Sequence, residues 1–207
     1  MTPDTPNWDA VYKSNFAAKA FWEVHWIEKA RDLYESAKKL EPAIDAVWDS
    51  YERAAELPLS PVEPDHFIGT YFMLMSFAVE NLLKAAAVSR NRFEYKRKFL
   101  LDNSFPSELK EHDLVRLAKL VDLALSSCEE DLLRRLTRSA VWFGRYPVPL
   151  KYGHVSGIQK YSDDHDYSVS WFGRDDGQAI RSFVDGLPMR LKIPQVYWKE
   201  GSVSSAS

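Results

Sequence analysis

Cysteine is nearly absent from this chain of 207 residues, and its scarcity excludes two kinds of architecture. The single cysteine, Cys128, can form neither an intramolecular disulfide framework nor a zinc site with several thiolate ligands. Its place within a predicted helix indicates a structural residue and not a nucleophile. Glycine is also scarce, with eight residues, whereas helix-forming Leu, Ala, Glu, Lys and Arg are frequent. This composition favours helices over strands.

Long apolar runs and a large charge excess are missing as well. No run of about 18 consecutive apolar residues occurs, so no segment is predicted to span a membrane. The N-terminal MTPDTPNWDA lacks the basic and apolar parts of a signal peptide. We therefore expect a cytoplasmic protein without a membrane partner. The net charge of −3 gives no global attraction to nucleic acid, so an RNA-binding surface would have to be local.

One dense basic run is present at 90–98. Its sequence, RNRFEYKRK, contains five Lys or Arg residues and one Glu, with Phe93 and Tyr95 between them. A charge run of this kind is commonly a solvated segment, here one that connects two helices, and we favour that interpretation. The alternative is a surface on which the two aromatic rings stack with nucleic-acid bases.

Helical spacing of apolar residues extends through most of the first 150 positions. It predicts one helix from about 16 to 40 and a second that ends near 56, with Pro42 in its first turn. The segment 57–65 carries three prolines and cannot lie inside a helix, which makes it a linker.

The third predicted helix, about 66–89, is apolar on nearly all sides and should be the most buried helix of the fold. Its few polar residues, Ser76, Glu80 and Lys84, recur at intervals of four, with Asn81 beside them. Residues four apart share one helix face, so they form a polar stripe. This stripe is either an exposed seam with a Glu80–Lys84 ion pair or a strip that faces an internal cleft.

The remaining helices are predicted from their capping residues. After a charged connection at 90–111, Asp113 caps a helix that reaches about 125. Ser127 and Glu130 fit a capping box at the start of a fifth helix, which ends before Pro147. Asp175 or Asp176 can cap a last helix at 177–187.

Three segments on successive predicted helices, MSFAVENLLKA (75–85), EHDLVRLA (111–118) and FGRYP (143–147), together resemble the HEPN domain. The resemblance covers about 66–149. It implies a bundle of four or five helices, frequent dimers, and roles in RNA cleavage or nucleotide binding. Such proteins often act in phage defence, toxin–antitoxin systems or stress responses.

The predicted fold class is therefore all-α, an antiparallel HEPN-like bundle of four to five main helices with an irregular C-terminal extension. The bundle occupies 1–153, with two N-terminal helices at 15–56 and the family-like core at 66–149. The extension, 154–207, packs on the bundle and contains one helix and a short strand or hairpin, because Tyr167, Val169 and Trp171 alternate with serines. Its final residues, 201–207, are small and polar and are expected to be disordered.

The resemblance also suggests a catalytic pair. Ribonucleases of the family carry an arginine and a histidine four to six residues apart, and Arg145 matches the arginine by position. His154 is the histidine that follows it, but eight residues including two prolines lie between them. The two side chains therefore cannot lie one or two turns apart on a continuous helix. Histidine suits the role of the base, and arginine suits phosphate binding.

A wider polar cleft is predicted around this pair, with seven candidate ligand-binding residues. Arg145 is expected to direct its guanidinium towards Glu80 and Asn81, because a buried Glu80 needs a cationic partner. His112 either contacts Glu80 or Arg145 in the cleft or is only the neighbour of the helix cap Asp113, which we favour. The candidates are Ser76, Glu80, Asn81, Lys84, His112, Asp113 and Tyr146.

No cofactor or metal ion is expected. The chain contains no Walker A, GxGxxG, GxSxG or HExxH motif. The acidic segment DDHD, 163–166, offers three carboxylates and an imidazole, but adjacent residues rarely converge on one ion, so we expect a solvated turn.

Three functions remain open at this point. The first is a dimeric module that binds RNA or a nucleotide in the polar cleft. The second is a metal-independent endoribonuclease that uses Arg145 and His154. The third is a non-catalytic adaptor whose aromatic residues, including seven tryptophans, contact a protein partner. The spacing of the Arg145–His154 pair favours the first or the third. A homodimer is expected, with an interface near Glu80 and Arg145.

Overall fold

The protein has an all-α fold, which confirms the predicted class. A computed structural model describes residues 7–57, 60–140, 158–162, 165–168 and 172–199. In the described parts of the chain, helices account for nearly all regular structure. They are α1 (Trp8–Ala20), α2 (Glu23–Lys38), α3 (Glu41–Glu56), α4 (Ile68–Asp102), α5 (Leu114–Leu120), α6 (Ser127–Arg138), α7 (Arg174–Arg190) and α8 (Gln195–Trp198), with a short 3-10 helix at Ser107–Lys110.

The long helix α4 forms the centre of the bundle, as its apolar sequence predicts. It contributes seventeen buried residues, among them Tyr71, Met75 and Leu82. Helix α2 packs along it, while α1, α5, α6 and α7 cover other parts of its surface. By length and composition α4 could cross a membrane, but most of its apolar stretch is buried against other helices. It is therefore the core helix of this fold.

The predicted end of the third helix near residue 89 lies close to a kink at Asn91, where φ is −121° and ψ is 18°. The prediction that a connection follows is wrong, because helical structure continues to Asp102. The basic run 90–98 is thus helical and is not a connection between helices. Lys and Arg are good helix formers, so the charged sequence does not stop the helix. It ends where Asn103 adopts a left-handed conformation with φ of 54°.

The single helix predicted for 16–40 is two helices. Helix α1 ends at Ala20 and α2 begins at Glu23, with Phe21 and Trp22 between them. Phe21 is buried and packs against Tyr95, Phe99 and Phe105. The indole N–H of Trp26 donates to the Ala20 carbonyl oxygen (2.8 Å), which satisfies an acceptor at the helix end. The next boundary agrees with its prediction, because a proline occupies the first turn of α3.

The caps of α5 and α6 are set by local hydrogen bonds. Asp113 caps α5 as predicted, accepting from the backbone N–H groups of Val115 (2.9 Å) and Arg116 (3.1 Å). Helix α5 ends at Leu120 and not near 125. The capping box of α6 lies one residue earlier than predicted, because Ser126 and Glu129 form it in place of Ser127 and Glu130. Both pairs fit the same pattern, and burial of Leu132, Leu133 and Leu136 accompanies the observed register.

The C-terminal helices belong to the same hydrophobic core as α2 and α4. Helix α7 begins at Arg174 and ends at Arg190, so it is longer than the predicted 177–187. Its N-cap is Gly173 and not an aspartate. The carboxylate of Asp176 accepts from the Gly173 N–H (2.7 Å). Helix α8, which was not predicted, places Trp198 in a stack on Tyr34 at 5.7 Å.

Buried tyrosines connect this C-terminal part to the rest of the bundle. The hydroxyl of Tyr34 donates to Asp185 of α7 (2.8 Å), and that of Tyr71 donates to Glu41 of α3 (3.2 Å). Arg181 of α7 binds the same Glu41 (2.9 Å). Burial, reinforced by these carboxylates, raises the pKa of both Tyr34 and Tyr71. The contacts tie α2, α3, α4 and α7 together.

A short hairpin precedes α7, in the segment for which a strand or hairpin was predicted. Strands β1 (Ile158–Ser162) and β2 (His165–Ser168) pair antiparallel, with Ile158 opposite Ser168 and a register irregularity between Lys160 and Ser162. His165 and Asp166 of the DDHD segment lie in β2 and not in a turn, whereas 163–164 lie outside the described residues. No group of three or more potential metal ligands occurs in the described part of the chain.

Candidate functional site

A buried ion pair lies on the central helix, at the polar stripe that the sequence singled out. The ammonium group of Lys84 binds Oε1 of Glu80 at 2.7 Å. Their side chains are only 4% and 8% exposed, so the stripe is not an exposed seam. The pair forms because residues four apart lie on one helix face, and Glu on the N-terminal side is the favourable order.

His112 closes this pair on its outer side. Its Nδ1 lies 3.1 Å from Oε1 and 3.2 Å from Oε2 of Glu80. Because a carboxylate only accepts hydrogen bonds, Nδ1 donates in this contact, and no residue that the structure describes hydrogen-bonds to Nε2. The His112 side chain is 64% exposed, so the cluster reaches solvent through the imidazole. We call Glu80, Lys84 and His112 the Glu80 cluster.

The position of His112 is fixed by the backbone before α5. Oε1 of Glu111 accepts from the N–H of His112 (2.9 Å) and from that of Asp113 (3.0 Å). The hydrogen bond from Asp113 is the largest cause that lowers the pKa of Glu111. Asp113 in turn caps α5. The two interpretations of His112 are thus compatible, since it lies beside the cap and also contacts Glu80.

An aromatic ring from α2 completes the cluster. The ammonium group of Lys84 lies 5.9 Å from the ring centroid of Trp26, a distance at which a cation–π attraction acts. The sequence carries no signal for this contact, because Trp26 and Lys84 are far apart in the chain. Glu111 was likewise missed, although its place before a predicted helix cap was visible.

The other candidates on α4 do not join the ion pair. The amide of Asn81 donates to the carbonyl oxygen of Phe77 on its own helix (2.7 Å). The hydroxyl of Ser76 is buried and has no hydrogen-bond partner in the described structure. Ser76 lies one helical turn from Glu80, so an unsatisfied polar atom adjoins the cluster.

Three sequence-predicted residues, Arg145, Tyr146 and His154, lie outside the described residues. Arg145 was expected beside Glu80 because a buried carboxylate needs a cationic partner, but another residue supplies that cation. Lys84 already supplies the cation that a buried Glu80 requires, and His112 adds a second hydrogen bond. Glu80 therefore has compensated charge within the part of the chain that the structure covers.

A separate groove of about 620 Å³ lies between α6 and α7, away from the predicted site residues. Its two arginines are engaged by carboxylates that line the same groove. Arg135 binds Asp176 through two hydrogen bonds of 2.7 and 2.8 Å, and Arg190 binds Glu129. Partial burial would raise the pKa of Asp176, but the bonds from Arg135 and the Gly173 N–H lower it. Both arginines of the groove are thus paired with carboxylates.

The basic run on α4 presents its two aromatic residues differently. Tyr95 is buried near Phe21 and cannot stack with a base. Phe93 is 86% exposed, the highest value among the large hydrophobic residues that the structure describes. Burial therefore excludes stacking of a base on Tyr95, whereas the ring of Phe93 is accessible to one.

Comparison with known proteins yields no relative, because no protein-family model, curated protein or solved structure matches this chain.

Proposed function

We propose that this protein is a HEPN-like helical module that binds RNA or a nucleotide next to the Glu80 cluster. The observation that carries the proposal is the Lys84–Glu80 ion pair, which is buried in the core helix and reaches solvent through His112. An ion pair at such depth gives little or no net stability compared with apolar residues of similar size. Its presence therefore supports a role beyond stability.

The chemistry of the exposed imidazole fits such a ligand. When Nδ1 is held by Glu80, the second ring nitrogen accepts a hydrogen bond from a base N–H or a ribose hydroxyl. In the protonated ring that nitrogen donates to a phosphate oxygen. The resemblance to HEPN domains over about 66–149 independently favours RNA or nucleotide binding.

A binding titration tests the proposal. Fluorescence anisotropy with a labelled single-stranded RNA, and calorimetry with a mononucleotide, compare wild type with His112→Ala. His25→Ala is the matched control, because His25 also contacts a glutamate, Glu28 at 3.4 Å, but on the exposed face of α2. We expect His112→Ala to weaken binding about tenfold, since it removes a direct contact worth about 1.4 kcal/mol. Equal affinities for both variants and wild type, or no binding at all, would refute the proposal.

RNA cleavage is the second candidate function. It is favoured by the Glu80–His112 contact, since a carboxylate that fixes the protonated nitrogen of a histidine is the arrangement of a general base. The endoribonuclease hypothesis from the sequence instead uses Arg145 and His154. Gel analysis of the same RNA after incubation with Arg145→Ala, His154→Ala and His112→Ala separates these assignments. Intact RNA with wild-type protein would exclude cleavage of that substrate.

The proposed assembly is a homodimer. Because the Glu80 side chain is covered within the protomer, we expect its exposed neighbour His112 to lie nearer to any interface in this region. Light scattering at micromolar concentration should give twice the 23.9 kDa of one chain. A monomer mass at that concentration would count against the dimer.

A further inference from the structure

We infer that the second half of α4 is a contact surface for single-stranded nucleic acid, with Phe93 as the stacking platform and Lys96 and Arg97 as the phosphate contacts. This surface, the Phe93 face, consists of Phe93, Lys96 and Arg97. The inference rests on the proposed function and extends it, because it states which form of nucleic acid is bound and by which helix.

The first support is the unusual position of one aromatic ring. The neighbouring aromatic residues of α4, Tyr95 and Phe99, are buried and pack against Phe21. Phe93, on the same helix, exposes 86% of its surface. A single exposed apolar residue is ordinary on a protein surface, so exposure alone assigns no function. The charges that surround this ring give the second support.

The cations of the run divide into engaged and available groups. Arg90 binds Asp122 at 3.1 Å, and Arg92 binds Glu23 of α2. No described acidic residue forms an ion pair with the other three, which are Lys96, Arg97 and Lys98.

The acidic side chain of this stretch, Glu94, is exposed and reduces its net charge to +4. Because the backbone after the kink at Asn91 is helical and not a loop, the Cα atoms of Phe93, Lys96 and Arg97 have fixed relative positions.

Helical spacing brings the ring and the cations onto neighbouring positions. Phe93 and Arg97 are four residues apart, which places them about 6 Å apart along the axis and on one face. Lys96, three residues after Phe93, is its other neighbour on the helix surface. The face therefore presents a planar apolar ring beside two cations, the combination that binds single strands without sequence preference.

The exposed ring selects a single strand over a duplex. In a single strand the faces of the bases are accessible, and stacking on an aromatic side chain is available to every base. In a duplex the bases stack on each other, so Phe93 would have no partner and only phosphate contacts would remain. RNA and single-stranded DNA share this chemistry, and no described feature of the Phe93 face reads a ribose hydroxyl.

The experiment uses the full chain and fluorescein-labelled oligonucleotides of equal length: oligo(U), oligo(dT) and a mixed-sequence duplex. Phe93→Ala removes the platform, and the double variant Lys96→Gln/Arg97→Gln removes two cations. Met189→Ala is the control for loss of an exposed apolar side chain, and Lys29→Gln/Lys39→Gln is the control for loss of two exposed charges on or beside α2. Circular dichroism verifies that every variant is folded.

We expect Phe93→Ala to weaken single-strand binding at least about fivefold, because each stacked base contributes at that level. The double variant should lower the slope of log affinity against log salt concentration by about 1.4, since each phosphate contact on a single strand contributes about 0.7. Both controls should bind like wild type. Tighter binding of oligo(U) or oligo(dT) than of the duplex supports the inference and identifies the preferred strand.

Four other outcomes overturn a specific part of the argument. If His112→Ala weakens binding but the Phe93-face variants do not, this surface is wrong and the proposed function stands. If the Phe93-face variants weaken binding but His112→Ala does not, the nucleic acid binds on the Phe93 face and the Glu80 cluster is not its site. Equal affinity for duplex and single strands overturns the stacking argument. Failure of wild type to bind any oligonucleotide or mononucleotide overturns both proposals and favours a protein-binding adaptor.

Discussion

Breaking the buried ion pair on α4 should destabilise the protein more than most single substitutions. Lys84→Met removes the ammonium group and keeps a flexible apolar side chain of similar length. Glu80 then remains 8% exposed without its cation, at the centre of the core helix. Removing one partner of a buried pair costs about 3–5 kcal/mol, because the remaining buried carboxylate loses its cation and keeps only the hydrogen bond from His112. In a chain of this size that corresponds to a fall in Tm of about 6–20 °C.

Replacing both partners should reverse most of this loss. In Glu80→Leu/Lys84→Met no buried charge remains, and burial of two apolar side chains is about neutral or stabilising by up to roughly 4 kcal/mol. The double-mutant cycle should therefore give a large favourable coupling between the two positions. His112 loses its acceptor in the double variant, but its exposed side chain can bind water instead.

The assay is equilibrium unfolding in urea, followed by far-ultraviolet circular dichroism. Urea is preferable to guanidinium chloride, since the latter is a salt and screens charges. Lys38→Met is the matched control, because Lys38 pairs with Glu35 at 2.8 Å but both side chains are about 40% exposed. An exposed pair of this kind contributes at most about 1 kcal/mol.

Two results would refute the reasoning about the pair. If Lys84→Met changes the free energy of unfolding no more than Lys38→Met does, Glu80 is solvated and its burial is wrong. If the double variant is as unstable as Lys84→Met, the loss comes from packing and not from an uncompensated charge.

Three further predictions concern other parts of the fold. Leu82→Ala should cost about 2–5 kcal/mol through a cavity in the core, and an unchanged urea midpoint would contradict the central position of α4. Ser126→Ala should cost about 1 kcal/mol through loss of the α6 cap, whereas Ser127→Ala should have a smaller effect. The reverse order in thermal unfolding would show that Ser127 is the cap, as the sequence predicted. Because the pKa of Asp176 is lowered in the folded state, its pairing with Arg135 stabilises the protein above the ordinary carboxyl value of 3.8, and this stability is lost as the pH falls through and below that value. Asp176→Asn should be less stable at neutral pH and lose less stability on acidification, and an unchanged acid dependence would show that the pairing contributes nothing.

Local sequence signals predicted those elements whose causes lie within a few residues. Asp113 caps α5 because its carboxylate reaches N–H groups two and three positions later, which a sequence pattern specifies fully. The proline in the first turn of α3 also acts locally, because that position has no backbone donor to lose. The all-round apolar pattern of α4 indicated its central position, because a helix that is apolar on every side is buried.

The break between α1 and α2 was missed because distant residues decide it. The break after Ala20 depends on burial of Phe21 against Tyr95, Phe99 and Phe105, which are more than 70 residues away. Helical periodicity continues on both sides of the break, so the sequence alone favours one helix. The α6 cap is ambiguous in the sequence because two overlapping pairs fit the capping box.

The polar stripe on α4 shows most clearly what the sequence determines and what the tertiary structure determines. By itself the sequence determined that Ser76, Glu80 and Lys84 share a helix face and that Glu80 and Lys84 can pair, since helical spacing alone requires it. Only the tertiary structure decided that this face is buried, that Trp26 lies against Lys84, and that His112 contacts Glu80. A helical pattern fixes which side chains are neighbours on one helix, but it does not specify which other helix covers them. The burial that turns a surface pair into the Glu80 cluster therefore comes from the packing of α2 and of the segment before α5 onto α4.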